Sequence, residues 1–340
     1  MNTIINTDES EEESPMRACL GTGGLIAGLV VSALLVTLLS LGLSGCSTAV
    51  SASSAASGRY ALLIGIKDYP GTSNDLTYTE SDANDMAALL AAKGWTVTQT
   101  LLSSNATYSA IKSAIAAFAS QSGFSSTSSV LVYYSGHGSI SSDESTAYII
   151  PYDGLSYNSS TGTTSSNTSA WITPATLSGW LGSLDCANRL LILDSCYSGG
   201  FVDTGTSTDA SSQNTTTGRS STESSLVAAG LSKLSTLLAA SASGEGDPDV
   251  MTISACGSEE YSYDDATTKH GIFTYYLLAS AGSGDSDSDG YVSTSEAFGY
   301  TKTKLKAWDS ANMSSWSTYG ESLLPHISGG TGDFVLFDNN

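Results

Sequence analysis

The sequence predicts an α/β domain with a mainly parallel central sheet that is covered by helices on both faces. Two kinds of segment carry this prediction. The runs Ser129–Tyr134 (SVLVYY) and Leu190–Leu193 (LLIL) are almost entirely apolar and too short for a helix core, which is typical of buried parallel strands. Between such runs lie segments with apolar residues at helical spacing. Strands that alternate with helices form a mainly parallel sheet.

The other elements follow from the same two patterns. Further strands are predicted at Tyr60–Ile66, Trp95–Leu102, Tyr148–Pro151 and Val250–Ala255, and the Leu190 strand begins at Arg189. Helices are predicted at Ser81–Lys93, Tyr108–Ser120, Thr173–Ser183, Ser225–Ala240 and Gly271–Ser280. Gly94 is expected to end the first helix and Thr173 to cap the third.

Composition limits the classes of protein. The chain has 340 residues, 40% of them hydrophobic, which is enough for a sizeable core in one large domain or two small ones. The chain has 12 Lys and Arg residues but 33 Asp and Glu residues, which gives a formal charge of -21. This excess of acid argues against nucleic acid as a partner and favours a solvated acidic surface.

The N-terminal segment has the features of an export signal. Leu25–Leu43 is nearly uninterrupted apolar sequence that leads into LSGC, and this exit resembles a bacterial lipoprotein signal with lipidation at Cys46. An uncleaved membrane anchor and a conventional signal peptide are the alternatives. The acidic leader before Met16 fits none of these, and Met16 is a second possible start. We expect a protein of the cell envelope, anchored to the membrane, with its folded domain outside the cytoplasm.

The rest of the chain divides by composition. After the leader 1–46, a Ser/Ala-rich tether covers 47–58. The first half of the folded domain is expected at 59–203 and the second at 225–340. Between them, 204–224 is rich in Ser, Thr and Gly without an apolar pattern, as in a linker.

Two strand ends carry residues suited to nucleophilic catalysis. His137 follows the Ser129–Tyr134 strand between Gly136 and Gly138, and Cys196 follows the Arg189–Leu193 strand. A thiol attacks as its thiolate, and an imidazole can accept its proton and later pass it to a leaving amine. Because ligands bind at the carboxyl ends of parallel strands, the pair predicts a His/Cys site.

The blocks around these residues resemble a known family. YYSGHG and LDSCYSGG, with His137 and Cys196 59 positions apart, are similar to the His and Cys blocks of caspase-like cysteine peptidases (peptidase family C14). The DSC triplet is similar to metacaspases and their bacterial relatives. The resemblance extends over most of 59–337 and implies a caspase-like fold. It also implies an oxyanion hole formed by the backbone N–H groups of Gly138 and Cys196.

The resemblance further implies an acidic substrate pocket. By similarity to metacaspases, Asp82, Ser135 and Asp194 would line the pocket for the residue before the cleaved bond, called P1. Two carboxylates there would select Arg or Lys. Asp85 is an alternative to Asp82, whose carboxylate could instead stabilise a helix N-terminus.

A separate motif predicts a calcium site. DSDSDGYVSTSE (285–296) satisfies the EF-hand loop pattern, with helical segments on both sides. Its expected ligands are Asp285, Asp287, Asp289, the Tyr291 carbonyl, Ser293 or its water, and a bidentate Glu296. The ion could staple the domain or act as a switch, and an acidic surface turn is the alternative.

The remaining Cys and His residues suggest no metal site. Cys186 and Cys256 are expected as buried thiols, with a disulfide between them as the alternative. His270 and His326 are expected to be structural, since no Cys/His spacing resembles a zinc site.

These observations predict a membrane-tethered cysteine endopeptidase that cleaves protein or peptide substrates after Arg or Lys, needs no organic cofactor and binds calcium, either as a structural staple or as a switch. Arg219, in the linker, is a predicted site of self-cleavage. The alternative is a non-catalytic, calcium-binding lipoprotein that uses the same fold for recognition.

Overall fold

A six-stranded sheet forms the centre of the molecule, which we describe from a computed structural model over residues 57–141, 146–196, 250–256, 262–312, 324–330 and 332–340. Its strands are β1 (Arg59–Gly65), β2 (Thr96–Leu102), β3 (Ser129–Ser135), β8 (Asn188–Asp194), β9 (Val250–Ser254) and β13 (His326–Ser328). The strand order is β13-β9-β8-β3-β1-β2, and only β13 runs antiparallel to its neighbour. The predicted mainly parallel sheet is therefore confirmed.

The helices and the smaller strands surround this sheet. The helices are α1 (Thr79–Ala92), α2 (Tyr108–Ala116), α3 (Pro174–Gly182), α4 (Ile272–Ser283) and α5 (Thr294–Asn312). Four two-stranded pairs complete the described part: β4 (Gly138–Ile140) with β5 (Ala147–Ile149), β6 (Leu155–Asn158) with β7 (Thr163–Ser166), β10 (Asp264–Asp265) with β11 (His270–Gly271), and β12 (Tyr291–Ser293) with β14 (Val335–Asp338). All described residues belong to one compact unit, Ser53–Asn340.

Alternating residues of the inner strands supply two cores, one on each face of the sheet. On one face, Leu62, Val132 and Leu191 pack with residues of α2 and α3. On the other face, the neighbouring residues Leu63 and Leu131 pack with residues of α1, α4 and α5. Because successive side chains of a strand point to opposite faces, a strand covered on both sides must be apolar throughout. This explains the continuous apolar runs of β3 and β8.

Local sequence sets several helix starts. Thr107 accepts a hydrogen bond from the Ala110 N–H at 3.2 Å at the start of α2. Thr173 accepts one from the Thr176 N–H at 3.1 Å, and Pro174 occupies the first turn of α3. A side-chain oxygen at this position satisfies a backbone donor that has no partner within the helix. The predicted cap at Thr173 is confirmed.

Some predicted segments have a different place or lie outside the described part. The predicted strand Tyr148–Pro151 is observed as β5, which pairs with β4 outside the central sheet. The leader, most of the tether, the linker with Arg219, the predicted helix 225–240 and Cys46 all lie outside the described residues. Within the described ranges, no helix combines the length and apolar character needed to cross a membrane.

Candidate active site

The carboxyl ends of β3 and β8 lie side by side at the centre of the sheet. Their last residues, Ser135 and Asp194, are partners in the parallel register. His137 follows β3 by two residues, and Cys196 follows β8 by two. The topology therefore places the two predicted catalytic residues at the same edge, where ligands bind in α/β sheets.

Gly138 brings the histidine segment against the cysteine segment. A Cβ atom added to Gly138 would collide with the Cys196 carbonyl oxygen and lie 3.2 Å from the Ser195 hydroxyl oxygen. A larger residue would push the two segments apart. The glycine thus has a packing reason beyond its predicted role as an oxyanion donor.

A backbone carbonyl orients the His137 ring. The Nε2 atom of His137 lies 2.7 Å from the Asn74 carbonyl oxygen. Because a carbonyl oxygen only accepts hydrogen bonds, Nε2 carries the proton, and Nδ1 of the neutral ring is left with a lone pair. No orienting group was nominated from the sequence, since a backbone carbonyl leaves no trace in residue type.

Two buried tyrosines hold the backbone of the histidine segment. The Tyr69 hydroxyl accepts a hydrogen bond from the His137 N–H at 3.0 Å and donates to the Ile150 carbonyl at 3.0 Å. The Tyr134 hydroxyl donates to the His137 carbonyl at 2.7 Å. The Tyr69 ring also packs against the His137 ring, with centroids 4.7 Å apart. Sequence analysis missed both tyrosines.

Burial keeps both members of the pair neutral. It lowers the pKa of His137, although the hydrogen bond to Asn74 opposes this effect. Burial also raises the pKa of the Cys196 thiol, against a hydrogen bond from the Ser262 backbone. The resting site therefore holds a thiol and a neutral imidazole, because burial penalises the charged form of each group.

The predicted pocket residue Asp82 is fully buried at the start of α1. Its carboxylate accepts hydrogen bonds from Ser135 Oγ at 3.1 Å, from His270 Nδ1 at 2.8 Å and from the Gly271 N–H at 3.2 Å. Ser135 and Asp82, predicted to share a pocket, are thus in direct contact. Asp85 lies on the solvent side of the same helix, with 60% of its side chain exposed.

The second acid predicted for the pocket, Asp194, receives hydrogen bonds from α4 and from the segment before β10. Its Oδ2 accepts hydrogen bonds from the Thr274 hydroxyl at 2.6 Å and from the Thr274 N–H at 3.3 Å. Its Oδ1 accepts one from the Ser262 hydroxyl. Burial raises the pKa of Asp194, and these hydrogen bonds oppose the rise. Thr274 and Ser262 were not predicted, because they lie far along the chain from Asp194.

Two glycines let the acids approach each other. A Cβ atom at Gly65, the last residue of β1, would collide with the Thr79 carbonyl oxygen, so glycine allows α1 to pack closely on the sheet. A Cβ atom at Gly271 would lie 2.5 Å from Asp194 Oδ2 and 3.3 Å from Asp82 Oδ2. The absence of a side chain at Gly271 therefore leaves room for both carboxylates.

The proximity of the acids makes their ionisation costly. Burial, with the neighbouring charge of Asp194, raises the pKa of Asp82 to about 7 despite its hydrogen bond to His270. Burial and the charge of Asp194 also raise the pKa of Asp264 to about 6. Like charges in a poorly solvated site each disfavour the ionised form of the other. The arrangement is suited to a ligand that brings its own positive charge.

The acidic loop lies beyond the other end of α4. Asp285, Asp287 and Asp289 have carboxylate oxygens that all lie within 4.8 Å of one another, and they are the one such metal-compatible group found in the described part of the chain. Gly290, at loop position 6, has a φ of +88°, which glycine adopts without strain. Asp285 Oδ2 accepts a hydrogen bond from the Gly290 N–H at 3.1 Å.

Glu296, the last predicted ligand, is bound to its own loop. It accepts hydrogen bonds from Ser286 Oγ at 2.7 Å, from the Ser286 N–H at 2.9 Å and from the Ser293 N–H at 2.9 Å. The Ser293 and Ser286 hydrogen bonds lower the pKa of Glu296 to about 2. The donor set of the loop is all oxygen, which fits calcium, and Glu296 stands outside the cluster of three aspartates. Tyr291 and Ser293 belong to β12, which pairs with β14.

The three described cysteines are Cys186, Cys196 and Cys256, all in the thiol form, with Cys186 and Cys256 buried. The alternative disulfide between Cys186 and Cys256 is therefore absent. His270, expected to be structural, forms a hydrogen bond through its ring to Asp82, one of the predicted pocket residues.

Comparisons with known proteins agree with the fold. A family model described as caspase domain matches residues 58–319. Caspase-1 from Spodoptera frugiperda is similar in structure, with a TM-score of 0.51 and 15% identity, over 83% of this chain and 91% of that chain. A protein of Geobacter sulfurreducens aligns with a TM-score of 0.49 and 21% identity, over 81% of this chain and 95% of that chain. No curated protein matches the sequence.

The match to the family covers well over half of the chain and includes both strand ends with His137 and Cys196. The predicted caspase-like α/β fold is confirmed. On this basis, the chain belongs to the caspase domain family, peptidase family C14.

Proposed function

We propose that this protein is a cysteine endopeptidase that cleaves protein substrates after Arg or Lys. One observation carries the proposal. At the sheet edge that carries Cys196 and His137, two buried carboxylates, Asp82 and Asp194, both lie close to Gly271. Buried carboxylates of this kind match the charge and the donor geometry of a guanidinium or ammonium group.

The reaction follows from the chemistry of the pair. Nδ1 of His137 accepts the Cys196 proton as the sulfur attacks the scissile carbonyl carbon, which forms a tetrahedral intermediate. The backbone N–H groups of Gly138 and Cys196 stabilise its oxyanion. His137 then donates the proton to the leaving amine, and water hydrolyses the thioester. The Asn74 carbonyl keeps the proton on Nε2, so the ring presents Nδ1 throughout.

The experiment uses matched peptides with Arg, Lys or Asp at P1 and the purified full chain. We expect turnover of the Arg and Lys peptides, none of the Asp peptide, and none at all by the Cys196→Ala variant. Cleavage after Asp would contradict the acidic pocket. A folded wild type without turnover would favour the alternative, a recognition protein that keeps the caspase fold.

We also propose that the 285–296 loop binds calcium and staples the second half of the domain. The three clustered aspartates, the turn at Gly290 and the pairing of β12 with β14 support this proposal. With the ion bound, Asp285, Asp287, Asp289, Glu296, the Tyr291 carbonyl and Ser293 would hold it. Calorimetric titration of the full chain with calcium tests the site, and an absence of heat at millimolar calcium would reduce it to an acidic turn.

Two further proposals rest on sequence outside the described residues. The apolar segment before Cys46 supports a lipid-anchored protein of the cell envelope. Arg219 lies in unpatterned chain between the two halves of the domain, as a cleavable segment requires, and it would be cut by the active enzyme. Intact-mass analysis of wild type and Cys196→Ala checks both, because lipidation adds mass to each and self-cleavage occurs in the wild type alone.

A further inference from the structure

His270 lies in a bridge between two acids of α1. Its Nδ1 is 2.8 Å from Asp82 Oδ1, and its Nε2 is 3.3 Å from Asp85 Oδ2. The Asp82 side chain is 1% exposed and the Asp85 side chain 60% exposed. One side of the imidazole therefore contacts a buried pocket acid, and the other contacts an acid in solvent.

We propose that His270 is a positioning residue of the substrate pocket, whose positive charge keeps the buried Asp82 carboxylate ionised and available to a basic P1 side chain. This inference rests on the proposed function, because it concerns the recognition of Arg and Lys by that same site.

The charges around His270 support this positioning role. Asp82 and Asp194 converge on Gly271 in a buried space, and two neighbouring carboxylates resist ionisation together. A protonated His270 offsets one of these charges before substrate binds. Asp85 in turn offsets the charge of His270, so the bridge of Asp82, His270 and Asp85 keeps a net negative charge for the incoming cation.

The surroundings of His270 favour its protonated form. The hydrogen bond that His270 donates to Asp82 raises the pKa of His270, burial opposes this effect, and the charges of Asp82, Asp85 and Asp194 add to the rise. The elements around the ring carry several titratable or charged residues: Glu80, Asp82 and Asp85 on α1, Arg189 and Asp194 on β8, Asp264 and Asp265 on β10, Tyr133 and Tyr134 on β3, Tyr275 and Tyr276 on α4, and Lys269 beside it in the chain. Acids thus dominate the immediate neighbourhood.

The test compares peptides with Arg and with citrulline at P1, because citrulline replaces the guanidinium with a neutral group of nearly the same shape. The quantity compared is the ratio of kcat/KM for the Arg peptide to kcat/KM for the citrulline peptide. The ionisation of Cys196 and His137 affects both peptides alike, so its effect cancels in this ratio. This ratio is measured from pH 6 to pH 9 for wild type and His270→Asn. Asparagine can place its amide nitrogen near the position of Nδ1, so the variant keeps the donor and loses the charge. His326→Asn is the matched control.

We expect the ratio for His270→Asn to fall about tenfold at pH 7.5, the effect of losing about one favourable charge contact. It should return to the wild-type value at pH 9, where Asp82 ionises without help. The His326→Asn variant should follow the wild type. An unchanged ratio at pH 7.5, or a deficit that persists at pH 9, would overturn the proposal.

Titration of the histidine rings by nuclear magnetic resonance tests the same proposal without any peptide substrate. The His270 imidazole should titrate at a higher pH than that of His326, whose pKa is lowered by burial. The titration midpoint of His270 should fall when the solvent-exposed Asp85 is replaced by asparagine (Asp85→Asn). A His270 that titrates below His326 would overturn the inference even if neither peptide were cleaved, whereas loss of turnover with a high His270 midpoint would count against the proposed function alone.

Discussion

Two groups of acids lie at opposite ends of helix α4, and they are built in opposite ways. Before its first turn, Asp82 and Asp194 are buried and receive hydrogen bonds from residues far apart in the chain. After its last turn, Asp287 and Asp289 are exposed and receive hydrogen bonds within their own loop. The same residue type therefore serves two environments within one helix length.

The difference lies in how each environment affects ionisation. Burial raises the pKa of Asp82 to about 7, whereas local hydrogen bonds lower the pKa of Glu296 to about 2. Under the proposed function, the buried acids Asp82 and Asp194 would be matched by a partner that shares their dry surroundings, such as the cationic side chain of a peptide. The loop acids Asp287 and Asp289 are exposed to water, and under the proposed calcium binding they would replace water ligands of the ion with carboxylate oxygens.

The largest expected effect is a loss of peptide turnover that leaves the acidic loop unaffected. Replacing Cys196 by Ala should lower peptide turnover by about 10⁴-fold or more, since the nucleophile is lost. The His137→Ala change should have a comparable effect. Both are measured as kcat with an Arg peptide. The rise in Tm on adding calcium should be unchanged in both variants, and Cys186→Ala is the control that should keep full activity.

The next effect separates the two groups of acids. Asp82→Asn should reduce kcat/KM for Arg and Lys peptides by about tenfold or more, because it removes a charge from a partly desolvated pocket. Asp287→Asn is the matched control in the loop and should leave the preference for P1 unchanged. An equal loss of kcat/KM for Arg and Lys peptides in both variants would contradict the different roles of the two groups of acids.

A third change should affect the loop alone. Glu296→Ala should remove most of the calcium-dependent stabilisation, which for a bound site amounts to about 2.7 kcal/mol when calcium is 100 times Kd. Differential scanning calorimetry with calcium and with chelator measures it. The exposed Asp68→Ala, outside the loop, is the control. Retained stabilisation in Glu296→Ala would place calcium elsewhere.

The smallest effect concerns stability and pH. Because the pKa of Asp82 is raised to about 7 in the folded state, against about 3.9 when unfolded, the folded protein binds this proton more tightly. This contribution to stability is full below about pH 4 and is lost as pH rises toward 7. Asp82→Asn lacks the effect. Urea unfolding at pH 4.5 and pH 8 should show the variant gaining stability relative to wild type at the higher pH, and a gain at the lower pH would contradict the assignment.

The two regions also differ in how far sequence could predict them. The loop lies within twelve consecutive positions, and the turn at Gly290 is read directly from its motif. The strands β3 and β8 could be predicted because both faces are buried, which leaves a continuous apolar run. The contacts of the predicted pocket residue Asp82 could not be read from the sequence, since they reach His270 across 188 positions.

The site residues that could not be predicted from the sequence share one physical cause. Asn74 acts through its backbone carbonyl, and Tyr69 and Tyr134 act through hydroxyls within an otherwise apolar core. None of these roles changes the local pattern of apolar and polar residues. Short strands such as β10 and β12 also escaped prediction, because they are fixed by their partners and not by their own periodicity.

The main proposal for this protein is that Cys196 is the nucleophile and lies beside a pocket that binds basic P1 residues. It is tested most directly by labelling the full chain with a thiol-reactive probe that carries Arg, beside an otherwise identical probe that carries Asp, and locating the label by peptide mass spectrometry. We predict that the Arg probe modifies Cys196 alone, at a rate that falls in Asp82→Asn, and that the Asp probe reacts far more slowly. Equal labelling by both probes, or labelling of Cys186 or Cys256 instead of Cys196, would contradict the account.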